Sequence, residues 1–277
     1  MVTLGGLAVT GSTGHLGGRV ARLLSAAGVA QRLVVRDPRR APALAGATVA
    51  SAAYQDGAAA RRALDGVRTL FMVSASEAPD RLDQHRTFID AAVAAGVIRI
   101  VYLSFYGAAQ DATFTLARDH WATEQHVRST GLAYTFVRDN IYLDFLPSMV
   151  VDGVIRGPGG DGRVAAVAQD DIAEAVVAVL RAPEVHDGVT YSLTGREALN
   201  FAEIAAILGP SVRYQPETVA EAYASRARYG APDWQVDAWV TTYTAVAAGE
   251  LAEITEDVHH LTGHPPLTLV DLLSNRG

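Results

Sequence analysis

Gly11, Gly14 and Gly17 stand at G-x-x-G-x-x-G spacing between a short apolar run, Leu7-Ala8-Val9-Thr10, and an amphipathic run that carries Val20, Leu23 and Leu24. That order reads as strand, tight turn and helix. A glycine at 11 turns the chain sharply, one at 14 admits a pyrophosphate to the backbone, and one at 17 lets the helix sit close against the strand. The helix N-terminus then points N–H groups and a partial positive charge at the phosphates. Alone, the stretch also fits a glycine turn without a ligand, so its chemistry depends on what stands about twenty residues downstream.

What stands there is Val34-Val35-Arg36-Asp37-Pro38-Arg39-Arg40. An acidic residue at the end of a second strand accepts hydrogen bonds from the ribose hydroxyls of NAD, whereas a basic one accommodates the 2′-phosphate of NADP. Arg36 holds the first place after the strand, with Arg39 and Arg40 close behind. Guanidiniums bond a phosphate dianion through charge-assisted, often bidentate contacts. By themselves the three arginines read better as a solvated basic turn. Together with the glycine turn they point to NADP(H) in preference to NAD(H).

The elements that must hold these residues follow from pattern. Arg32-Leu33-Val34-Val35, Thr48-Val49-Ala50-Ser51, Thr69-Leu70-Phe71-Met72-Val73, residues 98–103 and Tyr134-Thr135-Phe136-Val137 read as strands between helical patterns. That alternation is an α/β chain with a Rossmann-type, doubly wound parallel sheet. The first helix is expected to run to about Gly28. Asp80 is expected to cap a helix that carries Phe88, Ile89, Ala92 and Val93 and stops at Gly96, and residues 118–130 are expected to be helical. Asp171-x-x-Glu174 and Asn200-x-x-Glu203 look like capping boxes.

From about Pro147 the rhythm changes. Five glycines and a proline over residues 153–162 predict a loop. Asp233 is expected to cap a helix with Val236, Trp239, Val240, Tyr243 and Val246 on one side. That face is expected to pack against the sheet domain, with the wall of a pocket for an aromatic ligand as the alternative, and an exposed part of it would favour a homodimer. Residues 1–146 are read as the NAD(P)-binding domain. Residues 147–277 are read as a smaller C-terminal α/β substrate region, with about 163–195 returning to the sheet.

Composition bounds the function. The 277 residues suffice for a full core. Hydrophobic content of 49% and mean hydropathy of +0.14 exclude disorder. No apolar stretch reaches the roughly 18 residues of a membrane span, and no basic segment precedes a long apolar one, so a cytoplasmic protein without a membrane partner is expected. The absence of cysteine removes disulfides, thiolate nucleophiles and cysteine-bound metals together. A formal charge of −7 without a basic run argues against a nucleic-acid partner. His259, His260 and His264 lack acidic partners at a metal-binding spacing, so no metal is expected.

A longer set of pieces resembles one family. Residues 9–17 and Val35-Arg36-Asp37 are followed by Ala63-Leu64-Asp65-Gly66-Val67, Gln84-His85, Gly96-Val97 and Val101-Tyr102-Leu103-Ser104. His120-x-x-Thr123-Glu124, Tyr134-Thr135-Phe136-Val137-Arg138, Asp171-Ile172-Ala173, Tyr191-x-Leu193-Thr194-Gly195 and Leu261-Thr262-Gly263-His264-Pro265-Pro266 come after them. In order and spacing the chain is similar to the NmrA-like branch of the atypical short-chain dehydrogenases/reductases, in its NAD(P)H:quinone oxidoreductase and triphenylmethane reductase group. The resemblance implies a Rossmann domain that binds NADPH and a compact C-terminal substrate region. It places Gly11, Ser12, Thr13, Gly14, His15, Leu16 and Gly17 along the pyrophosphate, and Arg36 at the 2′-phosphate. Ser74, Ala75 and Ser76 fall beneath the adenosine and ribose portions, and Ser104, Phe105 and His120 toward the nicotinamide ribose.

Two departures matter. Where the family usually has an Asp-Tyr pair after strand three, this chain reads Ala52-Ala53-Tyr54, which would move adenine recognition toward Gln55 or Asp56. Short-chain dehydrogenases also use Tyr-x-x-x-Lys, the lysine lowering the pKa of the tyrosine that handles the proton. Aligning on Glu124 puts Leu116 and His120 in those two places. A conjugated acceptor makes a smaller demand: hydride transfer leaves a delocalised anion that takes its proton from water, and the protein has chiefly to place the acceptor. His120 has two readings, a ribose contact that helps protonate product or a structural residue at a helix start. Tyr142, and less strongly Tyr106, border the expected substrate site with Asn140, Tyr142 being the other candidate acid. The expected function is reduction of a quinone-like or other conjugated, aromatic small molecule by NADPH. The alternatives are a non-catalytic NADP(H)-sensing regulator and a tailoring reductase of a biosynthetic pathway.

Overall fold

In the computed structural model, which describes residues 6–274, β1 (Leu7–Thr10) is buried at every position, as a strand covered on both faces must be. It pairs in parallel with β2 (Gln31–Val35), Val9 opposite Leu33, and on its other side with β4 (Thr69–Val73), Val9 opposite Phe71. β3 (Ala47–Ser51) extends the sheet beyond β2 and β5 (Arg99–Phe105) beyond β4, both in parallel. β6 (Ala133–Asp139) follows. β7 (Val154–Gly157) and β8 (Arg163–Val164) leave the sheet, and β9 (Thr190–Leu193) completes the order β3-β2-β1-β4-β5-β6-β9. The order reverses between β1 and β4, and doubly wound sheets bind ligands outside the carboxyl ends of the strands at that point.

The first helices are α1 (His15–Ala26), α2 (Gly57–Ala63), α3 (Arg81–Ala94), α4 (Thr115–Ser129) and α5 (Gln169–Arg181). α1 buries Leu16, Val20, Ala21 and Leu24; Leu23, expected on the same face, is exposed because it lies about 100° round the helix from Leu24. Asp80 stands at the N-cap of α3, but its carboxylate accepts from Gln84 Nε2 at 2.9 Å and not from the helix backbone. α5 begins two residues before Asp171, where Asp144 Oδ2 accepts the Gln169 N–H at 2.9 Å. Asp171 therefore lies in the first turn, and its Oδ2 accepts the Leu267 N–H at 2.8 Å.

Later elements are β10 (Leu199–Asn200), α6 (Phe201–Leu208), β11 (Arg213–Pro216), α7 (Val219–Arg226), α8 (Asp233–Ala247), α9 (Asp257–Thr262) and α10 (Leu269–Ser274). The Asn200–Glu203 capping box forms with both reciprocal bonds, 2.8 and 3.0 Å. Pro232, not Asp233, is the N-cap of α8. The glycine-rich stretch expected as a loop holds β7, because Arg213–Pro216 supplies a parallel partner, Ile155 opposite Tyr214.

Two compact units divide the chain. The first takes the chain through Ser104 together with Trp121–Arg138 and Ile172–Tyr191; the second takes Phe105–His120, Asp139–Asp171 and the chain from Ser192. The first is built on a core that includes Ala8, Leu70, Met72, Phe88, Tyr102 and Phe136. Phe88 is wholly buried, and truncating such a ring costs about 3–5 kcal/mol. The second has its own core around Leu143, Ile155, Phe201, Tyr243 and Leu269.

Candidate functional site

The glycine turn connects β1 to α1 in the first unit. Gly11 has φ +67°, and a Cβ there would lie 2.9 Å from Val73 Cβ. At Gly17 a Cβ would lie 2.4 Å from the Gly11 carbonyl oxygen. The fold itself demands glycine at both. Gly14 differs: its φ is −95°, and the nearest atom to an added Cβ is the Gly11 oxygen at 3.3 Å. Thr13, Gly14 and His15 are exposed at the tip, while Leu16 and Gly17 are buried beneath it. Ser12 is buried, and its Oγ has no hydrogen-bond partner. An orphaned buried hydroxyl costs about 1–3 kcal/mol. The turn thus combines a helix N-terminus, an open backbone at Gly14 and an unused hydroxyl, a donor set that fits a pyrophosphate.

Arg36 is exposed at the end of β2. Arg39 is turned back on Asp37, Nε to Oδ1 and Nη2 to Oδ2, both at 3.0 Å, and this guanidinium holds the Asp37 carboxyl below the usual carboxylate range. Of the three arginines, Arg36 and Arg40 carry their charge to solvent. Tyr54 ties β1 to β4: its hydroxyl donates to the Val73 carbonyl at 2.6 Å and lies 2.6 Å from Thr10 Oγ1, which accepts the Val73 N–H at 2.9 Å. Burial pushes this phenol's pKa up. Asp56, one of the two residues considered for adenine, caps α2 by accepting the Ala59 N–H at 2.9 Å; Gln55 is exposed.

The strap Ser74-Ala75-Ser76 leaves β4 beside the turn and is held by residues that sequence reasoning gave no role. Its central N–H, on Ala75, donates to His85 Nε2 at 2.8 Å, and the Ala75 carbonyl accepts from Arg81 Nε at 3.1 Å. With Nε2 accepting, His85 Nδ1 carries the proton and donates to Thr123 Oγ1 at 2.8 Å. Burial, reinforced by Arg81, lowers the His85 pKa to about 3, so the ring is neutral. Ser104, at the end of β5, is wholly buried and donates to Glu124 Oε1 at 2.6 Å. Glu124, also wholly buried, takes a bidentate pair from Arg138, at 2.8 and 2.6 Å. The match at Thr123-Glu124 was the available signal; the partners in α3, β5 and β6 were not visible in it.

The remaining expected residues belong to the second unit. Phe105 packs edge-on to Phe114, with centroids 5.0 Å apart, and lies 6.1 Å from the His120 ring. α4 starts at Thr115, so His120 is buried in its second turn and is not a helix-start residue, and Leu116 lies one turn before it. Tyr106 donates to Glu253 Oε2 at 3.1 Å; burial and then this carboxylate push its pKa up to about 12. Asn140 is wholly buried, donating to the Leu251 carbonyl at 3.1 Å and accepting the Ile141 N–H at 2.8 Å. Tyr142 donates to Asp139 Oδ2 at 2.6 Å. None of these lines a cavity of about 640 Å³ in this unit, whose wall includes Trp239 and Tyr243. Those two side chains of α8 answer to the pocket-wall alternative. Among the described residues no cluster of three His, Asp or Glu gathers as metal ligands, and no helix is long and apolar enough to cross a membrane.

Comparison with known proteins agrees with this architecture. The model of the NmrA-like family matches residues 5–221. The chain belongs to the NmrA-like family. It is similar to quinone oxidoreductase 2 of Escherichia coli, at 36% identity over 97% of this chain and 98% of that one. The crystal structure of an NADPH-dependent quinone oxidoreductase from Escherichia coli complexed with NADPH superposes with a TM-score of 0.88 at 34% identity, covering 98% of this chain and 99% of the other. That of triphenylmethane reductase from Citrobacter sp. complexed with NADP(H) gives 0.86 at 29% identity, covering 97% and 99%.

Proposed function

We propose that this protein reduces a quinone-like or other conjugated small-molecule acceptor with NADPH, hydride passing directly to the acceptor without a Tyr-x-x-x-Lys acid. The chain is an NAD(P)H-dependent oxidoreductase, a statement supported by its full-length kinship with such enzymes. When bound, the dihydronicotinamide supplies a hydride, that is two electrons and one proton, and the acceptor takes a further proton from water. The residues that would hold it are the 11–17 turn, with Ser12 Oγ and the α1 N–H groups toward the pyrophosphate. Arg36 would meet the 2′-phosphate, which is the ground for preferring NADP(H) to NAD(H). The Ser74–Ala75–Ser76 strap would lie along the adenosine side, its path fixed by His85 and Arg81.

The observation that carries the acceptor class is where the acid protons point. Aligning on Glu124 puts Leu116 in the tyrosine's place, and the phenols of Tyr106 and Tyr142 donate to Glu253 and Asp139. An enzyme that must protonate an alkoxide needs an acid aimed at it; one that makes a delocalised quinol anion does not. Phe105, His120 and Tyr142 would then serve placement in preference to proton transfer.

The test is NADPH oxidation over a panel of quinones and conjugated enones, with cofactor binding measured in parallel. Turnover of at least one acceptor with quinol-type product is expected. Tight NADPH binding with no turnover on any acceptor would overturn the proposal in favour of the sensing role.

A further inference from the structure

We infer that the second unit carries a binding site for a flat aromatic acid, in the cavity walled by Trp239, Tyr243 and Arg228. The cavity measures about 640 Å³ and lies wholly within that unit, inside the roughly 300–1,000 Å³ of small-molecule sites. Tyr229 meets Trp239 edge to face, centroids 6.0 Å apart at 90°, and both rings line the space, so a planar ligand finds a ring face and a ring edge together. Phe145 and Tyr229, also lining it, are 52% and 53% exposed. Large apolar side chains left to solvent around a cavity mark a ligand-binding surface.

Three guanidiniums line the same space, and their commitments differ. Arg226 is engaged by the fold: Nη1 donates to Glu217 Oε2 and to the Ala222 carbonyl, each at 3.0 Å, and Nη2 to the Arg156 carbonyl at 3.1 Å. Its charge sits 5.2 Å from the centroid of the Tyr243 ring. Arg228 donates instead to a neutral group, the Tyr229 hydroxyl at 2.9 Å, with its charge 4.9 Å from that ring. Asp152 and Glu217 are near enough to act on Arg228, but Glu217 is already bonded to Arg226 and neither acid lines the cavity. Arg156 is exposed on β7. The lining contains no aspartate or glutamate to offset Arg156 and Arg228.

An apolar, ring-lined space with two such cations selects one chemical class. A neutral aromatic leaves both guanidiniums without an anion inside the cavity, and an aliphatic acid leaves the rings uncovered. An aromatic carboxylate or sulfonate satisfies both, with its acid group bonded by a planar fork. The inference rests on the second unit alone and stands whether or not the chain reduces an acceptor.

The test is calorimetric titration of the full chain, without cofactor, with 2-naphthoate and with its neutral counterpart 2-naphthamide. The acid is expected to bind at least about tenfold more tightly than the amide, the ratio that about 1.4 kcal/mol supplies. In Arg156→Gln/Arg228→Gln that ratio should fall to about one while Tm is unchanged, and in Trp239→Ala both ligands should weaken together. Equal affinities in the natural protein, discrimination that survives the double substitution, or no binding of either compound would each overturn the inference.

Discussion

Nε2 of His85 accepts the backbone N–H of Ala75 at 2.8 Å, and that bond fixes both the ring's tautomer and the path of the chain as it leaves β4. The arrangement needs a neutral imidazole, and burial supplies one by lowering the pKa to about 3. The unfolded chain accepts this proton near histidine's ordinary pKa of 6.5, where the folded protein refuses it. Its contribution is therefore complete above pH 6.5 and is lost as pH falls toward 3. Between pH 6.5 and 5 the loss amounts to about 2 kcal/mol. Urea unfolding at the two pH values should show that decline in the natural protein and a smaller one, by about that amount, in His85→Gln. Parallel declines would contradict it.

Gly14 and Gly17 should separate stability from binding. A Cβ at Gly17 would lie 2.4 Å from a backbone oxygen, so Gly17→Ala is expected to destabilise by more than about 2 kcal/mol. At Gly14 the nearest atom is 3.3 Å away, so Gly14→Ala should change stability by less than about 1 kcal/mol yet weaken NADPH binding at least about tenfold. Thermal unfolding with and without NADPH reads both. If Gly14→Ala bound NADPH as well as the natural protein, the pyrophosphate would not lie over the turn.

Arg36 decides the cofactor. Arg39 is bonded to Asp37, leaving Arg36 as the exposed guanidinium directly after β2. Arg36→Ala should raise KM for NADPH about tenfold or more, the loss of one charge-assisted phosphate contact, and leave KM for NADH nearly unchanged. Equal weakening of both would remove the case for a 2′-phosphate site.

The strands and the glycine turn were legible in the sequence because their signals are local: an apolar run, three glycines at fixed spacing and an arginine at the strand end. What was not legible depends on partners far along the chain. Residues 154–157 form a strand because residues 213–216 lie beside them, and glycines at 153, 157, 159, 160 and 162 masked that. Asp171 and Asp233 looked like caps, but Asp144, 25 residues upstream of Gln169, takes the α5 N-terminus, and Pro232 precedes α8. Ser104, Asn140 and Tyr142 were picked out by position, and only the fold discloses that Glu124, Leu251 and Asp139 engage them.

His120 and Tyr142 are the residues on which acid catalysis would rest if it occurred. A positioned general acid contributes about 10²–10⁴-fold. With the Tyr142 hydroxyl donating to Asp139, Tyr142→Phe and His120→Phe should each lower kcat for a quinone by less than about tenfold, since water can protonate the product anion. A hundredfold fall in kcat for either, with a shifted pH profile, would identify it as the acid.

The most direct measurement is a single turnover, mixing enzyme-bound NADPH with excess quinone in the absence of oxygen. Loss of the reduced-nicotinamide absorbance should match quinol formed one for one, and should slow when NADPH carries deuterium at the transferred position. Bound NADPH that persists unchanged before every quinone tried would contradict direct hydride transfer by this chain.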